Sequence, residues 1–184
     1  MAAAQGKVRI IAGCWRSRLI VFPDRPDLRP TSSRIRETVF NWLGQDLDGL
    51  CCLDLFAGSG ALGFEAASRG AAQVVMVDTD ASAYKALYEN KQKLQAMQVE
   101  LVMMNALNFI HSDMRKFDVI FLDPPYRLEL LSELLPLLPP HLADDGLVYI
   151  ETGSAWIPDT QWHVKRSAKA GTVHYQLLEL ALNG

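Results

Sequence analysis

Leu50-Cys51-Cys52-Leu53-Asp54-Leu55-Phe56-Ala57-Gly58-Ser59-Gly60-Ala61-Leu62-Gly63 reads as a strand, Leu50 to Phe56, turning through two closely spaced glycines into a helix, Ala61 to Arg69, which Gly70 ends. A strand that gives way to a helix in this manner is where open α/β sheets bind ligands, at the carboxyl ends of their strands. Downstream the alternation continues. Gln73 to Asp78, Glu100 to Met104, Asp118 to Leu122 and Gly146 to Glu151 have strand length and apolar content, while Ser82 to Gln95 and Leu128 to Leu138 have helical spacing. That order predicts βαβ units around a parallel sheet. Trp162 to Ala168 and Val173 to Leu180, around Gly171, predict a closing antiparallel hairpin.

The glycine loop supports two cofactor readings. Gly58, Gly60 and Gly63 spell GxGxxG, and Asp78 follows Gly60 by 18 residues at the end of the next strand, which is also the dinucleotide fingerprint. An acidic residue there accepts from ribose hydroxyls whether the ligand is NAD or S-adenosylmethionine. Asp54, four residues before Gly58, tips the balance. It suits the cationic amino-acid end of S-adenosylmethionine and would repel a pyrophosphate. Phe56, Ala57, Gly58 and Gly60 complete the candidate loop. Asn105-Ala106, after the third strand, stands where such folds contact adenine, although Asn105 equally suits a helix N-cap.

Asp123-Pro124-Pro125-Tyr126 follows the strand ending at Leu122, on the same rim as the glycine loop. Consecutive prolines fix the backbone and remove two amide donors, leaving an acceptor-rich pocket floor. An exocyclic amine on a base is a poor nucleophile because its lone pair is delocalised into the ring. Accepting its two hydrogens at the Asp123 carboxylate and the Pro124 carbonyl would bring the nitrogen toward sp3 geometry. Tyr126 offers a stacking face, worth about 1 to 3 kcal/mol per base in single-strand binders. The base must first leave its own stack.

At 184 residues, 49% hydrophobic and 21% charged, the chain has the balance of one globular domain. No stretch approaches the roughly 20 apolar residues of a membrane span, and no leader pattern opens it. Cytoplasmic location is the expectation. Cys14, Cys51 and Cys52 and four scattered histidines lack ligand spacing, so no metal is expected. The net charge of −3 is unevenly spread: residues 1 to 40 hold eight basic and three acidic side chains, a balance of +5 that leaves −8 for the remainder. Clustered arginine there points to a polyanion.

Lys7 to Ala12 and Arg18 to Phe22 predict a small hairpin carrying those cations, followed by a proline-rich connector and a helix starting at Ser32 or Ser33. Ile35, Val39, Trp42 and Leu43 form its buried stripe, with Arg34 and Arg36 outside it and Gly44 as the stop. The division expected is a basic extension, 1–44, and a cofactor-binding domain, 45–184.

Together these residues resemble class I methyltransferases, and most closely the RsmD family of bacterial 16S rRNA guanine-N2 methyltransferases. The resemblance runs through Arg9-Ile10-Ile11-Ala12-Gly13, Arg16-Ser17-Arg18, Arg29-Pro30-Thr31, Arg34 to Leu43, Asp54 to Gly63, Ser68-Arg69-Gly70-Ala71 and Asp123 to Tyr126. Asp78 departs from the more usual Glu, and Ser33 from a frequent Asp. The resemblance implies a Rossmann-like, mostly parallel seven-stranded sheet with helices on both faces. It implies methyl transfer from S-adenosylmethionine, leaving S-adenosylhomocysteine, to N2 of a loop guanine in 16S rRNA. Asp123, Pro124 and Tyr126 would act on the base, and Arg9, Arg16, Arg18, Arg34 and Arg36 would contact RNA. The partner implied is the small (30S) subunit or its assembly intermediate, met by a monomer. Adenine-N6 methylation of DNA or 23S rRNA, and an NAD-binding Rossmann protein, are the rival readings.

Overall fold

The computed structural model describes residues 5–125 and 128–181, with the Leu128 side chain outside that set. Tyr126 therefore lies outside the described residues. Strand β3 (Cys51–Asp54) is the centre from which the sheet is built. It pairs in parallel with β4 (Gln73–Asp78) on one side and with β6 (Phe117–Leu122) on the other. Beyond β4 lies β5 (Val99–Met103), also parallel. Beyond β6 come β7 (Leu142–Thr152), parallel, and then β9 (Val173–Leu180) and β8 (Trp162–Ala170), both antiparallel to their neighbours. The order β5-β4-β3-β6-β7-β9-β8 reverses direction between β3 and β6. The crevice at such a reversal is where open α/β sheets take their ligands.

Helices cover both faces, because the central strands are apolar on both sides and need two cores. One core joins Cys52, Val74, Met76, Val119 and Phe121 to α1 (Ser33–Leu43), α2 (Ala61–Ser68) and α3 (Ala81–Leu94). The other joins Leu53, Val75, Val77, Ile120 and Val148 to α4 (Ala106–Ser112) and α5 (Leu128–Leu134). No helix among the described residues is long and apolar enough to cross a membrane.

The N-terminal hairpin is β1 (Gln5–Arg9) paired with β2 (Leu19–Pro23). Its Val8, Ile10, Ile20 and Phe22 are buried in the first core, alongside Ile35, Val39 and Phe40 of α1, so the extension shares the core of the sheet. Ser32 caps α1 by accepting from the Ile35 amide, and Gly44 ends it. A polar staple holds the extension down. Glu65 of α2, fully buried, accepts from the Ile11 and Ala12 amides at 2.9 and 3.0 Å, from Arg36 Nη1 at 3.1 Å and from Arg69 Nε at 2.9 Å.

Three expectations are corrected here. Arg36 does not lie outside the buried face of α1: it is only 2% exposed, with Nε donating to the Thr31 carbonyl and Nη1 also to the Arg9 carbonyl. Strand β7 begins at Leu142 rather than Gly146, with a register shift opposite Phe117/Val119 and Asp145 at φ 60°. The polar run Ala143-Asp144-Asp145 hides that start, since it carries no apolar alternation. In addition, the helix expected over Leu128 to Leu138 stops at Leu134 and continues as 3-10 turns, because Pro136 and Pro139 cannot donate within an α-helix.

Candidate active site

The register explains why two motifs far apart in sequence share one rim. Asp54, the last residue of β3, lies opposite Phe121 of β6, and the Leu55 amide donates to the Phe121 carbonyl at 3.2 Å. Asp123 therefore leaves β6 beside the start of the glycine loop. The loop is pinned from the other side by Ala57 N–H donating to Val77 O at 3.0 Å. Gly58 and Gly60 have φ of 52° and 82°, and a Cβ on Gly60 would stand 2.7 Å from Leu87 and Phe64 side-chain carbons. The turn is thus left-handed and too crowded for a side chain.

Asp54 is 1% exposed. Its Oδ2 accepts from the Gly63 amide at 3.1 Å, while Oδ1 is buried without a partner of good geometry. Burial pushes its pKa up to about 7, against the pull of the Gly63 and Phe56 amides. A buried carboxylate oxygen without a donor is a place prepared for a positive group. Asp78 is half-buried, and its two oxygens accept from Gly58 N–H at 2.7 Å and Asp80 N–H at 2.8 Å. It braces the glycine loop and keeps lone pairs free. Asn105 is the N-cap of α4, its side chain accepting from Asn108 N–H at 2.8 Å, and Ala106 behind it is buried. Phe56 is half-buried and Ala57 buried.

Asp123 is half-buried and Pro124 buried, whereas Pro125 is exposed. Two groups that sequence reading missed lie beside Asp123. Tyr149 and Glu151 stand at alternate positions on β7, facing the same side of the sheet, and Tyr149 Oη donates to Glu151 Oε2 at 2.9 Å. Thr31, of the Arg29-Pro30-Thr31 run, is buried; its hydroxyl lies 3.2 Å from Glu151 Oε2 and 3.5 Å from Asp123 Oδ2. Burial, then the charges of Glu151 and Asp54, hold the Asp123 carboxyl well above its ordinary range. Burial raises Glu151 as well, against its two donors Tyr149 and Thr31. The signal for Glu151 was an acidic residue at the carboxyl end of an apolar strand, but which strand neighbours β6 is a fact of topology.

Thr31 also lines a groove of about 630 Å³ between the hairpin and the start of α1, with Lys7, Arg9, Arg16, Pro30 and Ser33 around it. Arg9, Arg16, Arg18 and Arg34 are exposed. The fold brings the first two to the groove, whereas Arg36, at its base, spends its charge on Glu65 and is withdrawn from the set of surface cations.

The family described as Conserved hypothetical protein 95 matches residues 8–179. The Escherichia coli K12 protein named Ribosomal RNA small subunit methyltransferase D is 40% identical, covering 99% of this chain and 94% of its own. Its Haemophilus influenzae namesake is 38% identical, covering 96% and 95%. The solved structure of Escherichia coli yhhF superposes with a TM-score of 0.84 at 40% identity, covering 95% of this chain and 98% of that one. An RNA methyltransferase from Salinibacter ruber, solved with S-adenosyl-L-homocysteine, has the same fold with a TM-score of 0.66 at 18% identity, covering 81% and 92%.

Proposed function

The chain belongs to the RsmD family of ribosomal RNA small subunit methyltransferases, and on that premise we propose that it transfers a methyl group from S-adenosylmethionine to the exocyclic N2 of a guanine in 16S rRNA. One observation carries the amine chemistry: Asp123 and the buried Pro124 emerge from β6 beside Asp54 and the glycine loop, at the reversal of the sheet. S-adenosylmethionine supplies an activated methyl group on a positively charged sulfur. The unpartnered Oδ1 of Asp54 fits its cationic amino-acid end. The backbone from Phe56 to Gly60, Asp78 at the ribose and Asn105-Ala106 at the adenine would hold it. No metal takes part.

Asp123 accepts one hydrogen of the amine and the Pro124 carbonyl accepts the other, which orients the nitrogen lone pair. Asp123 then receives the proton that the amine loses. Tyr126, by its position in the motif, supplies the stacking face. Arg9, Arg16, Arg18 and Arg34 contact RNA phosphates, which position the substrate without reading its sequence. The chain acts as a monomer in the cytoplasm on a guanine presented by the small subunit or its assembly intermediate. The test is Asp123→Asn, which keeps the shape and removes the charge. Turnover on small subunits falls by about 100-fold or more, while calorimetry shows S-adenosylhomocysteine binding near wild type. Near-normal turnover in that variant overturns the role of Asp123.

A further inference from the structure

The Thr31 hydroxyl carries one hydrogen and faces two carboxyl oxygens, Glu151 Oε2 at 3.2 Å and Asp123 Oδ2 at 3.5 Å. With both carboxyls ionised, one of these contacts sets lone pair against lone pair. Both become hydrogen bonds only when one carboxyl is protonated and donates to Thr31 Oγ1. Tyr149 Oη, donating to Glu151 Oε2 at 2.9 Å, fixes the far end of the chain. Thr31 itself is held by its backbone, whose carbonyl accepts from the buried Arg36 Nε at 3.1 Å. The long Asp123 contact is of the kind that tightens when substrate arrives.

We infer that Asp123 and Glu151 form a one-proton pair switched through the Thr31 hydroxyl, so that Thr31 and Glu151 are positioning residues that set the charge on Asp123. The inference rests on the reading of Asp123 as acceptor of the amine. In the free chain Glu151 receives two donors and is the ionised member, while Asp123 holds the proton and donates it to Thr31 Oγ1. When an amine N–H is presented to Asp123, the Asp123 proton passes to Thr31 Oγ1 as the Thr31 proton passes to Glu151 Oε2. No proton enters or leaves, and the negative charge moves from Glu151 to Asp123. The site thus keeps a single negative charge among buried groups that would repel a second one.

The groups facing the pair are consistent with this. Asp54 comes from β3, Glu151 and Tyr149 from β7, Thr31 from the connector, and Tyr175 from β9 acts on Tyr149. Among the described residues, Arg36 of α1 is turned to Glu65 and to the Thr31 carbonyl rather than to either carboxyl. Glu151 and Asp54 raise the Asp123 pKa; a Thr31 hydrogen given to Asp123 lowers it, but in the free chain that hydrogen is turned to Glu151. In that state both positioning residues keep the proton on Asp123.

The test is a carbon-13 NMR titration of the Asp123 side-chain carboxyl in the cofactor-free protein, assigned with Asp123→Asn. Glu151→Gln removes the competing charge and lowers the Asp123 midpoint by about one pH unit, and Thr31→Val removes the acceptor of the Asp123 proton and lowers it as well. Thr31→Ser keeps the hydroxyl and leaves the midpoint in place. Midpoints that coincide in wild type, Glu151→Gln and Thr31→Val overturn the inference, and if Thr31→Val does not fold, an unmoved midpoint in Glu151→Gln is enough. The acid limb of kcat on small subunits follows the same shifts. Midpoints that move while that limb stays fixed support the proton pair and overturn the reading of Asp123 as the amine's acceptor.

Discussion

Asp54 illustrates how one residue couples cofactor, pH and stability. Its carboxyl is raised to about 7 in the folded chain by burial, against about 3.9 when unfolded. The folded state therefore binds a proton that the unfolded state has released between those values, and stability falls as pH rises from about 4 to 7. Asp54→Asn flattens that fall in thermal unfolding measured across the range. The same group must be ionised to hold a cation, so S-adenosylmethionine affinity strengthens as pH rises through about 7 in wild type and loses that dependence in Asp54→Asn, as calorimetry would read. Asp54 and Asp123 were legible in the sequence because each ends an apolar strand beside a glycine or proline turn. Arg36 was not, since apolar periodicity counts a guanidinium as surface, and its buried partner Glu65 lies 29 residues away. Glu151 escaped for a similar reason: its meaning depends on β7 lying next to β6.

At the scale of elements, α2 is the joint between the cofactor loop and the extension. Gly60 begins it at φ 82°, where a Cβ would meet Leu87 and Phe64. Its Glu65 gathers Arg36, Arg69 and two amides of the chain leaving β1. Glu65→Ala leaves two buried guanidinium groups and two amides without their acceptor, a loss of about 3 to 5 kcal/mol. An unfolding free energy from urea titration lowered by less than a third of that would mean the staple is dispensable. Gly60→Ala forces a left-handed residue against side chains, costing about 1 to 3 kcal/mol, and weakens S-adenosylhomocysteine binding in calorimetry. The seven strands were readable from period and punctuation, whereas their order in the sheet was not. Their ends were less readable: the bulged start of β7 is polar, and prolines cut α5 short.

For the whole molecule, charge separates the two tasks. An acidic body of −8 carries an extension of +5, and the fold sets Lys7, Arg9 and Arg16 around a groove that reaches Thr31, the residue that also touches both catalytic-side carboxyls. On the proposed function, RNA held by the extension would be delivered to the rim where β3 and β6 end. Reversing Arg9 and Arg16 to Glu weakens rRNA binding and lowers its salt dependence by a slope of about 2, roughly one for each phosphate no longer neutralised, with S-adenosylhomocysteine affinity unchanged; an unaltered salt slope would place the RNA elsewhere. The excess of arginine in the extension was legible in the sequence, whereas its burial in the common core was not, because Val8, Ile10, Ile20 and Phe22 lie on strands too short to reveal a shared interior. The central claim, methylation of a guanine amine, is tested most directly by incubating the protein and S-adenosylmethionine with undermethylated small subunits and analysing the digested 16S rRNA by mass spectrometry. The account predicts N2-methylguanosine with wild type and its loss with Asp123→Asn. N6-methyladenosine in its place, with guanine unmodified, would contradict it.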